Sequence, residues 1–282
     1  MSEHERNLEK LIELVEALKP YIEWTHNYSI AQVRLLKLLR LGPSNIIEFY
    51  YQGTVPFRFY VPKGDIDHIQ SHYIMSESFW DQGTLEALAP VLRGKHVLDI
   101  GANVGNHSVY WGKLADVSSI QAFEPIPETF GILERNIELN GLKKTVKLHR
   151  CALGALNGTG DPTSRADNRM QAMVSTRSDT GGAIPVRTLD SFNLREVHFA
   201  KIDVEGHTIG MLQGSVATLK KFSPSLYIEL FPFEANLCRD FLAEHGYEVM
   251  GSIEEGNFIF VHSSKTDDKQ IFRNIVKGEW PH

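Results

Sequence analysis

The sequence has 282 residues, of which 42% are hydrophobic. A chain of this length can bury one large core, or one large core and a smaller appendage. The 35 acidic and 29 basic residues give a formal net charge of -6, and no run of Lys or Arg stands out that could follow a phosphate backbone. We therefore expect two units of unequal size and no nucleic acid partner.

The N-terminal segment and the cysteines indicate the cellular setting. The first 20 residues are too polar for a signal peptide. No stretch approaches the roughly 20 apolar residues of a membrane span. Cys151 and Cys238 lie far apart without metal-ligand spacing. The sequence predicts a cytoplasmic protein with no integral membrane segment, no disulfide and no zinc site.

Residues 1–90 are predicted to form a smaller N-terminal α+β appendage. Apolar residues recur at helical spacing from Leu8 to Leu18, and a second leucine-rich segment runs from Ile30 to Leu41. Aromatic and polar residues then alternate about a Gln-Gly turn, which predicts a hairpin over residues 46–62. The leucine stripe fits either a homodimer interface or packing against the chain's own body. We expect the appendage to gate the substrate or to form a dimer.

Residues 91–282 change to short apolar runs that alternate with helical patterns. Continuous apolar runs are typical of strands buried on both faces, so the pattern predicts an α/β fold with a doubly wound, mostly parallel sheet. The predicted strands are HVLDIG, SIQAFEP, VKLHRCAL, FAKIDVEG, SLYIELF and GNFIFVH, and the predicted helices span about residues 105–115, 127–140, 208–220 and 233–245.

One interval interrupts this alternation. Residues 154–186 are rich in Gly, Ser, Asp and Thr where a helix would be expected. We predict an irregular loop with a short strand at Met170–Ser175, at the carboxyl edge of the sheet where such folds bind ligands. Asn168 in this loop is a candidate substrate contact, with a role as a turn residue as the alternative.

The segment DIGANVG directly continues the first of these strands. A dinucleotide fingerprint would require G-x-G-x-x-G, but Gly101 and Gly105 are four positions apart with Asn103 between them. The pattern D-x-G-x-[GN]-x-G, which begins at Asp99, is instead that of the S-adenosylmethionine loop of class I methyltransferases. Its glycines let the backbone pass close to a compact zwitterion. Asp99 can accept hydrogen bonds near the positive end of the methionyl group.

A second acid, Glu124, ends the next predicted strand and is followed by Pro125. An acid at this place accepts hydrogen bonds from ribose hydroxyls, as it does in dinucleotide folds. The third strand ends near Cys151–Leu153, where the small side chain of Ala152 leaves room for an adenine ring, with hydrophobic filling as the alternative role. We predict S-adenosylmethionine as the cofactor, bound by the glycine loop, Glu124, Pro125 and Ala152.

Longer segments resemble the FkbM-type S-adenosylmethionine-dependent methyltransferases. In order, they are LDIGANVGNHS, AFEPIPETFGILERNIELNG, ALG, DN, VRTLDSF, KIDVEGHTIGMLQGS and SLYIEL, and they span about half of the chain. The resemblance implies a Rossmann-like class I fold with a seven-stranded sheet. It also implies methyl transfer to a hydroxyl, typically on a sugar, polysaccharide precursor or polyketide, so the expected partner is a small-molecule or saccharide acceptor. His207 departs from the alanine that is more usual after DVEG.

Candidates for the chemistry cluster in KIDVEGH. Strand alternation places Lys201, Asp203 and Glu205 on one side, and the end of a parallel strand points into the ligand cleft. Asp203 occupies the position where this class usually has its acid at the reacting end, so we expect it to serve both the cofactor and catalysis. Glu205, Lys201 and His207 are the further catalytic candidates.

Structural roles are the alternatives for these side chains. Lys201 could simply pair with Asp203, Glu205 could favour the N-terminal turn of the next helix, and His207 could be a partly exposed helix residue. Glu229 on the fifth predicted strand is a candidate substrate contact or a structural acid near the cleft.

Two other interpretations stay open. No metal site is predicted, but Asp203, Glu205 and His207 could together hold Mg²⁺ or another divalent ion, which would make the protein a metal-assisted small-molecule O-methyltransferase. The interpretation from another class is a catalytically inactive binding or scaffold protein that keeps the cofactor fold.

Overall fold

The computed structural model describes residues 44–165, 168–177, 184–277 and 280, together with three leucines of the second N-terminal segment; of residues 162–165 and 168–177 it describes the backbone alone. The predicted helix from Leu8 to Leu18 lies outside the described residues. Leu35, Leu39 and Leu41 are helical, in agreement with the helix predicted from Ile30 to Leu41.

The elements alternate as the sequence predicts. The strands are β1 (Ile46–Tyr51), β2 (Val55–Tyr60), β3 (His96–Ile100), β4 (Ser119–Phe123), β5 (Val146–His149), β6 (Ala152–Leu153), β7 (Gly158–Arg165), β8 (Asn168–Arg177), β9 (Ile184–Arg187), β10 (Phe199–Ile202), β11 (Ser225–Glu229), β12 (Tyr247–Glu254) and β13 (Asn257–His262). The helices are α1 (His68–Ser76), α2 (Gln82–Leu92), α3 (Asn106–Leu114), α4 (Pro127–Leu139), α5 (Thr208–Gln213), α6 (Val216–Phe222), α7 (Ala235–Glu244) and α8 (Thr266–Arg273), and a 3₁₀ turn spans Leu189–Phe192.

Seven strands among the described residues form the central sheet, in the order β12-β13-β11-β10-β3-β4-β5. The five strands from β11 to β5 pair in parallel, and β13 pairs antiparallel with both β11 and β12. This topology confirms the predicted doubly wound, mostly parallel α/β fold. The carboxyl ends of β3, β4, β10 and β11 therefore meet at one edge of the sheet.

The β1–β2 hairpin packs onto the sheet's own helices, and it confirms the hairpin predicted over residues 46–62. Its buried faces are aromatic, and the ring of Phe59 stacks on that of Tyr73 at 4.2 Å between centroids. This aromatic cluster joins the main core, since Phe79 packs edge-on against Tyr110 of α3 at 4.9 Å. Asn136 of α4 is fully buried, and its side chain accepts from the Tyr60 N–H and donates to the Val104 carbonyl. The hairpin is thus tied to the loop that follows β3.

The interval between β5 and β10 corrects one prediction. Strands β6, β9, β7 and β8 form a second sheet, in which β7 and β8 pair antiparallel. The predicted irregular loop was therefore wrong for most of this segment, because ladder pairing satisfies the backbone of Gly, Ser and Asp residues that have low β-propensity. The short strand predicted at Met170–Ser175 is confirmed, since these residues lie within β8. Among the described residues, no helix combines the length and the apolar character that a bilayer crossing needs.

The helix predicted over residues 208–220 is divided into α5 and α6. Gly214 ends α5 beside the β6–β7 connection, where a Cβ atom would collide with the Gly154 carbonyl oxygen. The Gly214 carbonyl accepts the Asp190 N–H, and the Asp190 carboxylate accepts the N–H groups of Ala217 and Thr218 at the start of α6. Because the helix is interrupted at Gly214, α5 is a short helix that begins six residues after the end of β10.

Candidate active site

The loop after β3 forms the floor of the site. Gly101 has a φ of +78°, and a Cβ atom there would collide with the carbonyl oxygen of Asp203 at the end of the neighbouring strand β10. Asn103 and Gly105 also have positive φ, at 50° and 95°. Only glycine fits the close approach at Gly101, and the loop thereby brings its backbone against β10.

Glu124, at the end of β4, holds this loop from the side. It is 6% exposed, and its two carboxylate oxygens accept the N–H groups of Asn103 at 3.1 Å and Ile126 at 2.9 Å. Burial raises the pKa of Glu124 to about 7, against the opposing effect of these two hydrogen bonds. The carboxylate lines a cavity and can accept further hydrogen bonds there.

This first cavity, which we call the loop cavity, contains most of the predicted cofactor contacts. Its lining includes Gly101, Asn103, Glu124, Pro125, Ala152 and Asp203. Cys151 and Leu153 lie beside Ala152, in agreement with the predicted arrangement at the end of the third strand. His207 also lines the loop cavity, at the start of α5.

Asp99 lies behind the loop cavity. Its side chain is fully buried, and the Ser108 hydroxyl donates to Oδ2 at 2.6 Å. Oδ1 lies 3.6 Å from the Lys201 ammonium. Asp99 contributes to the site by holding Lys201, and its predicted hydrogen bond to a methionyl group stays a prediction.

Lys201 is a buried cation at the centre of the site. It is 3% exposed, and its ammonium donates to the Gly101 carbonyl at 2.6 Å and lies 3.1 Å from Asp203 Oδ2. Burial alone would lower the pKa of Lys201, but Asp203 and Asp99 hold it above the usual value. A lysine that keeps its proton cannot act as a general base, so the geometry supports the alternative role of pairing with Asp203.

Three acids meet beside this ammonium. Ligand oxygens of Asp203, Glu205 and Glu229 lie within 4.8 Å of one another. Burial opposes ionisation of Asp203, but Lys201 outweighs it and lowers the pKa of this carboxyl. Burial and the Asp203 charge raise the pKa of Glu229, to which Asp203 is hydrogen-bonded, to about 9. Near neutral pH, Asp203 is therefore ionised and Glu229 carries the proton.

These acids belong to a second cavity of about 390 Å³, which we call the acidic cavity. It shares four lining residues with the loop cavity: Gly101, Asn103, Asp203 and Glu205. Its lining also includes Lys201 and Glu229, so the structure brings together six of the predicted site residues, four of them candidates for catalysis or substrate binding. His207 does not line the acidic cavity. The group of possible metal ligands consists of Asp203, Glu205 and Glu229, whereas the sequence suggested Asp203, Glu205 and His207.

Several residues of the acidic cavity were not predicted from the sequence. Trp80 and Asp81 come from the segment between α1 and α2, and Tyr227 and Glu254 come from β11 and β12. Their signal is weak in the sequence, because they join the site only through the packing of the hairpin region and of the antiparallel edge. The structure describes only the backbone of Asn168, which is the first residue of β8. Its role as a substrate contact stays a prediction.

His107, two residues beyond Gly105, also lines the acidic cavity. Its ring packs against Trp111 at 4.9 Å, and its Nε2 atom is buried without a hydrogen-bond partner among the described residues. Burial lowers the pKa of His107 to about 4, with the Lys201 charge as a second cause. The imidazole is therefore neutral at pH 7. The sequence signal that could have identified His107 as a site residue is its place in GNHS, directly after the glycine loop.

Known methyltransferases match this chain. The model of the methyltransferase FkbM domain matches residues 99–249. Methyltransferase 1 of Beauveria bassiana is 28% identical over 171 residues, which cover 52% of this chain and 68% of that protein. Hexuronic acid methyltransferase AglP of Haloferax volcanii is 27% identical over 128 residues, which cover 43% of this chain and 50% of that protein.

A crystal structure of a methyltransferase FkbM from Methylobacillus flagellatus also aligns with the fold, with 15% identity and a TM-score of 0.46. The alignment covers 69% of this chain and 52% of that one. The chain thus spans about half the length of this protein and of the Haloferax relative. The family model, in contrast, covers more than half of the chain and contains the glycine loop, Glu124 and the end of β10. The chain belongs to the FkbM methyltransferase domain family.

Proposed function

We propose that this protein is an S-adenosylmethionine-dependent O-methyltransferase that acts on a hydroxyl of a sugar, polysaccharide precursor or related natural product. The observation that carries the proposal is the junction of the two cavities at Asp203 and Glu205. One cavity has the glycine loop and a ribose-type acid, and the other has charged and polar side chains suited to a hydroxylated acceptor.

The loop cavity fits the cofactor. Glu124 retains free acceptor capacity for ribose hydroxyls, and a lining of Cys151, Ala152 and Leu153 suits a flat apolar ring. When bound, S-adenosylmethionine supplies a methyl group activated by the sulfonium charge. Asp203 and Glu205, at the junction of the cavities, would help to hold this cationic cofactor.

The chain's own contribution is positioning and proton transfer. Orienting an acceptor hydroxyl toward the methyl group is the larger source of rate, and a general base typically adds about 10²- to 10⁴-fold. Asp203 is the best-placed proton acceptor, because Lys201 keeps it ionised and it lines both cavities. Glu229 donates a hydrogen bond to Asp203 and thereby fixes its orientation.

Metal assistance is the second candidate, favoured by the three carboxylates within 4.8 Å. Such a set could hold Mg²⁺ and lower the pKa of the acceptor hydroxyl. The Lys201 ammonium already supplies a positive charge 3.1 Å from Asp203, so we favour the metal-free reaction.

Isothermal titration with S-adenosylhomocysteine tests the cofactor assignment. We expect binding, and we expect Glu124→Ala to weaken it by about 1 to 3 kcal/mol because ribose hydroxyls lose a charged acceptor. Because the pKa of Glu124 is about 7, wild-type affinity should fall as the pH is lowered from 8 to 6, where the carboxylate becomes protonated.

Glu128→Ala is the matched control, since Glu128 is a largely exposed acid on α4 whose partner is Lys63. Its affinity for S-adenosylhomocysteine should equal that of the wild type. Tight NADH binding with no response to S-adenosylhomocysteine would refute the assignment.

A further inference from the structure

The acidic cavity has a marked imbalance of charge. Six carboxyl side chains line it: Asp67, Asp81, Asp203, Glu205, Glu229 and Glu254. Among the described residues of its lining, Lys201 is the only Lys or Arg. His107 is neutral at pH 7 for the reason given above. The cavity therefore keeps a net negative charge at pH 7, although Glu229 carries a proton and Lys201 offsets Asp203.

The Lys201 ammonium already has protein partners. Lys201 donates to the Gly101 carbonyl and lies against Asp203 and Asp99, so it cannot turn toward a ligand without breaking these contacts. Asp67 is also committed, since it caps α1 by accepting the Gln70 N–H at 2.8 Å. Asp81 and Glu254 are the further acids of the lining that lie away from Lys201 and from the cap of α1.

Asp81 and Glu254 form the side of the cavity away from the cofactor. Neither lines the loop cavity. Glu254 accepts the Tyr227 hydroxyl at 2.5 Å. Burial and then the Glu254 charge raise the pKa of Asp81 to about 6. Trp80, which is 37% exposed, lines the same side and offers an aromatic face. Paired acids and an indole are the groups that bind an alkylammonium ion.

We propose that the acceptor of methyl transfer carries a protonated amine beside its hydroxyl groups, as an amino sugar does, and that Asp81, Glu254 and Trp80 bind this amine. The inference rests on the proposed O-methyltransferase function and specifies its substrate class. An anionic acceptor, such as a uronic acid or a sugar phosphate, would place like charges together, which disfavours its binding.

Three glucosides that differ in charge at one carbon provide the test. The probes are methyl 6-amino-6-deoxyglucoside, methyl glucoside and methyl glucuronide, and their binding to the 282-residue chain saturated with S-adenosylhomocysteine is measured by isothermal titration. We expect the amino compound to bind at least about tenfold more tightly than the neutral one, because it makes charge-assisted hydrogen bonds. The glucuronide should bind most weakly. Initial rates with S-adenosylmethionine should follow the same order.

Two conservative variants assign the effect to the amine site. Asp81→Asn suits the left-handed backbone at φ 50°, and Glu254→Gln keeps an acceptor for Tyr227, so both should fold as the wild type does in circular dichroism. Each should reduce the preference for the amino compound over methyl glucoside by about five- to tenfold. Asp116→Asn, an exposed aspartate at the opposite edge of the sheet, is the matched control and should leave the preference unchanged.

Proton release gives a readout independent of turnover. An ammonium beside Asp81 lowers the pKa of this carboxyl, which is about 6 in the free protein, so binding of the amino compound at pH 6 should release protons, measured as a difference between phosphate and Bis-Tris buffers. The inference is overturned if the amino compound binds no more tightly than methyl glucoside, or if neither compound binds. It is also overturned if Asp81→Asn and Asp116→Asn have the same effect on the preference. Failure of the proposed function is seen separately, as absence of S-adenosylhomocysteine binding to the wild type.

Discussion

At the scale of single residues, the buried Lys201 ammonium determines how charge is divided in the site. It lies 3.1 Å from Asp203, and Asp203 is hydrogen-bonded to Glu229. Two carboxyls this close cannot both ionise easily, and the nearer one to the ammonium keeps the charge. Two acids of similar chemistry therefore take different roles, with Asp203 as the proton acceptor and Glu229 as the hydrogen-bond donor.

Amide substitutions distinguish these roles. Asp203→Asn should lower kcat by about 10²-fold or more with little change in the affinity for S-adenosylhomocysteine, because an amide cannot accept the proton. Glu229→Gln should keep kcat within about tenfold of the wild type, since the amide N–H₂ can donate to Asp203 as the protonated acid does. Initial rates and cofactor titrations measure both.

EDTA gives the control for metal assistance. In the metal-free reaction, chelation should leave the rate unchanged. Loss of turnover with EDTA and its return with Mg²⁺ would assign the Asp203, Glu205 and Glu229 group to a metal instead. Full activity of Asp203→Asn, with no loss of rate in EDTA, would show that these three carboxyls take no part in the reaction.

The sequence predicts local features of the site well and distant ones poorly. Lys201, Asp203 and Glu205 were predicted together because strand alternation and the end of a parallel strand place them on one side. Asp81 and Glu254 could not be predicted, because they reach the cavity from the hairpin region and from the antiparallel edge. The hydrophobic periodicity of the sequence near either residue does not predict those long-range contacts.

At the scale of elements, close backbone contacts modify the predicted pattern. Strand β12 was not predicted, since Tyr247–Glu254 mixes polar and apolar residues at an edge of the sheet. Its register shifts twice against β13. The continuous helix predicted over residues 208–220 failed for a related reason, because helical periodicity does not reveal that Gly214 lies against the Gly154 carbonyl.

Two glycines in and beside α5 test this explanation. Gly214→Ala should destabilise the protein by about 1 to 3 kcal/mol, because the added Cβ forces two backbone segments apart. Gly210→Ala adds the same atom within α5, where the nearest atom is 4.0 Å away, and should stabilise by up to about 1 kcal/mol through helix propensity. Urea unfolding midpoints measure both variants. Equal effects of the two substitutions would contradict the close-contact explanation.

At the scale of the whole molecule, the aromatic hairpin and the sheet share one core. Phe49, Phe57 and Phe59 belong to the same buried cluster as Trp111 and Ile120 of the central fold. Tyr73 donates to Asn106, whose amide donates to the Trp80 carbonyl, so the segment that bears Trp80 and Asp81 is joined to the start of α3. The region after the hairpin thus contributes Asp67, His68, Ile69, Trp80 and Asp81 to the acidic cavity. The predicted gating or dimer-forming role then concerns the leucine stripe that precedes them.

Deletion of residues 1–40 tests that role. The affinity for S-adenosylhomocysteine should remain unchanged, because the residues of the loop cavity lie between Ile100 and His207. Either acceptor use or the mass measured by light scattering should change, and Leu11→Lys in the full chain separates the two causes. A charge in the stripe halves the mass if the stripe is a dimer interface, because a buried lysine cannot be solvated there. If the stripe instead gates the acceptor, the mass stays constant and the KM for the acceptor changes. A folded truncation with unaltered mass and unaltered acceptor kinetics would show that the stripe has neither role.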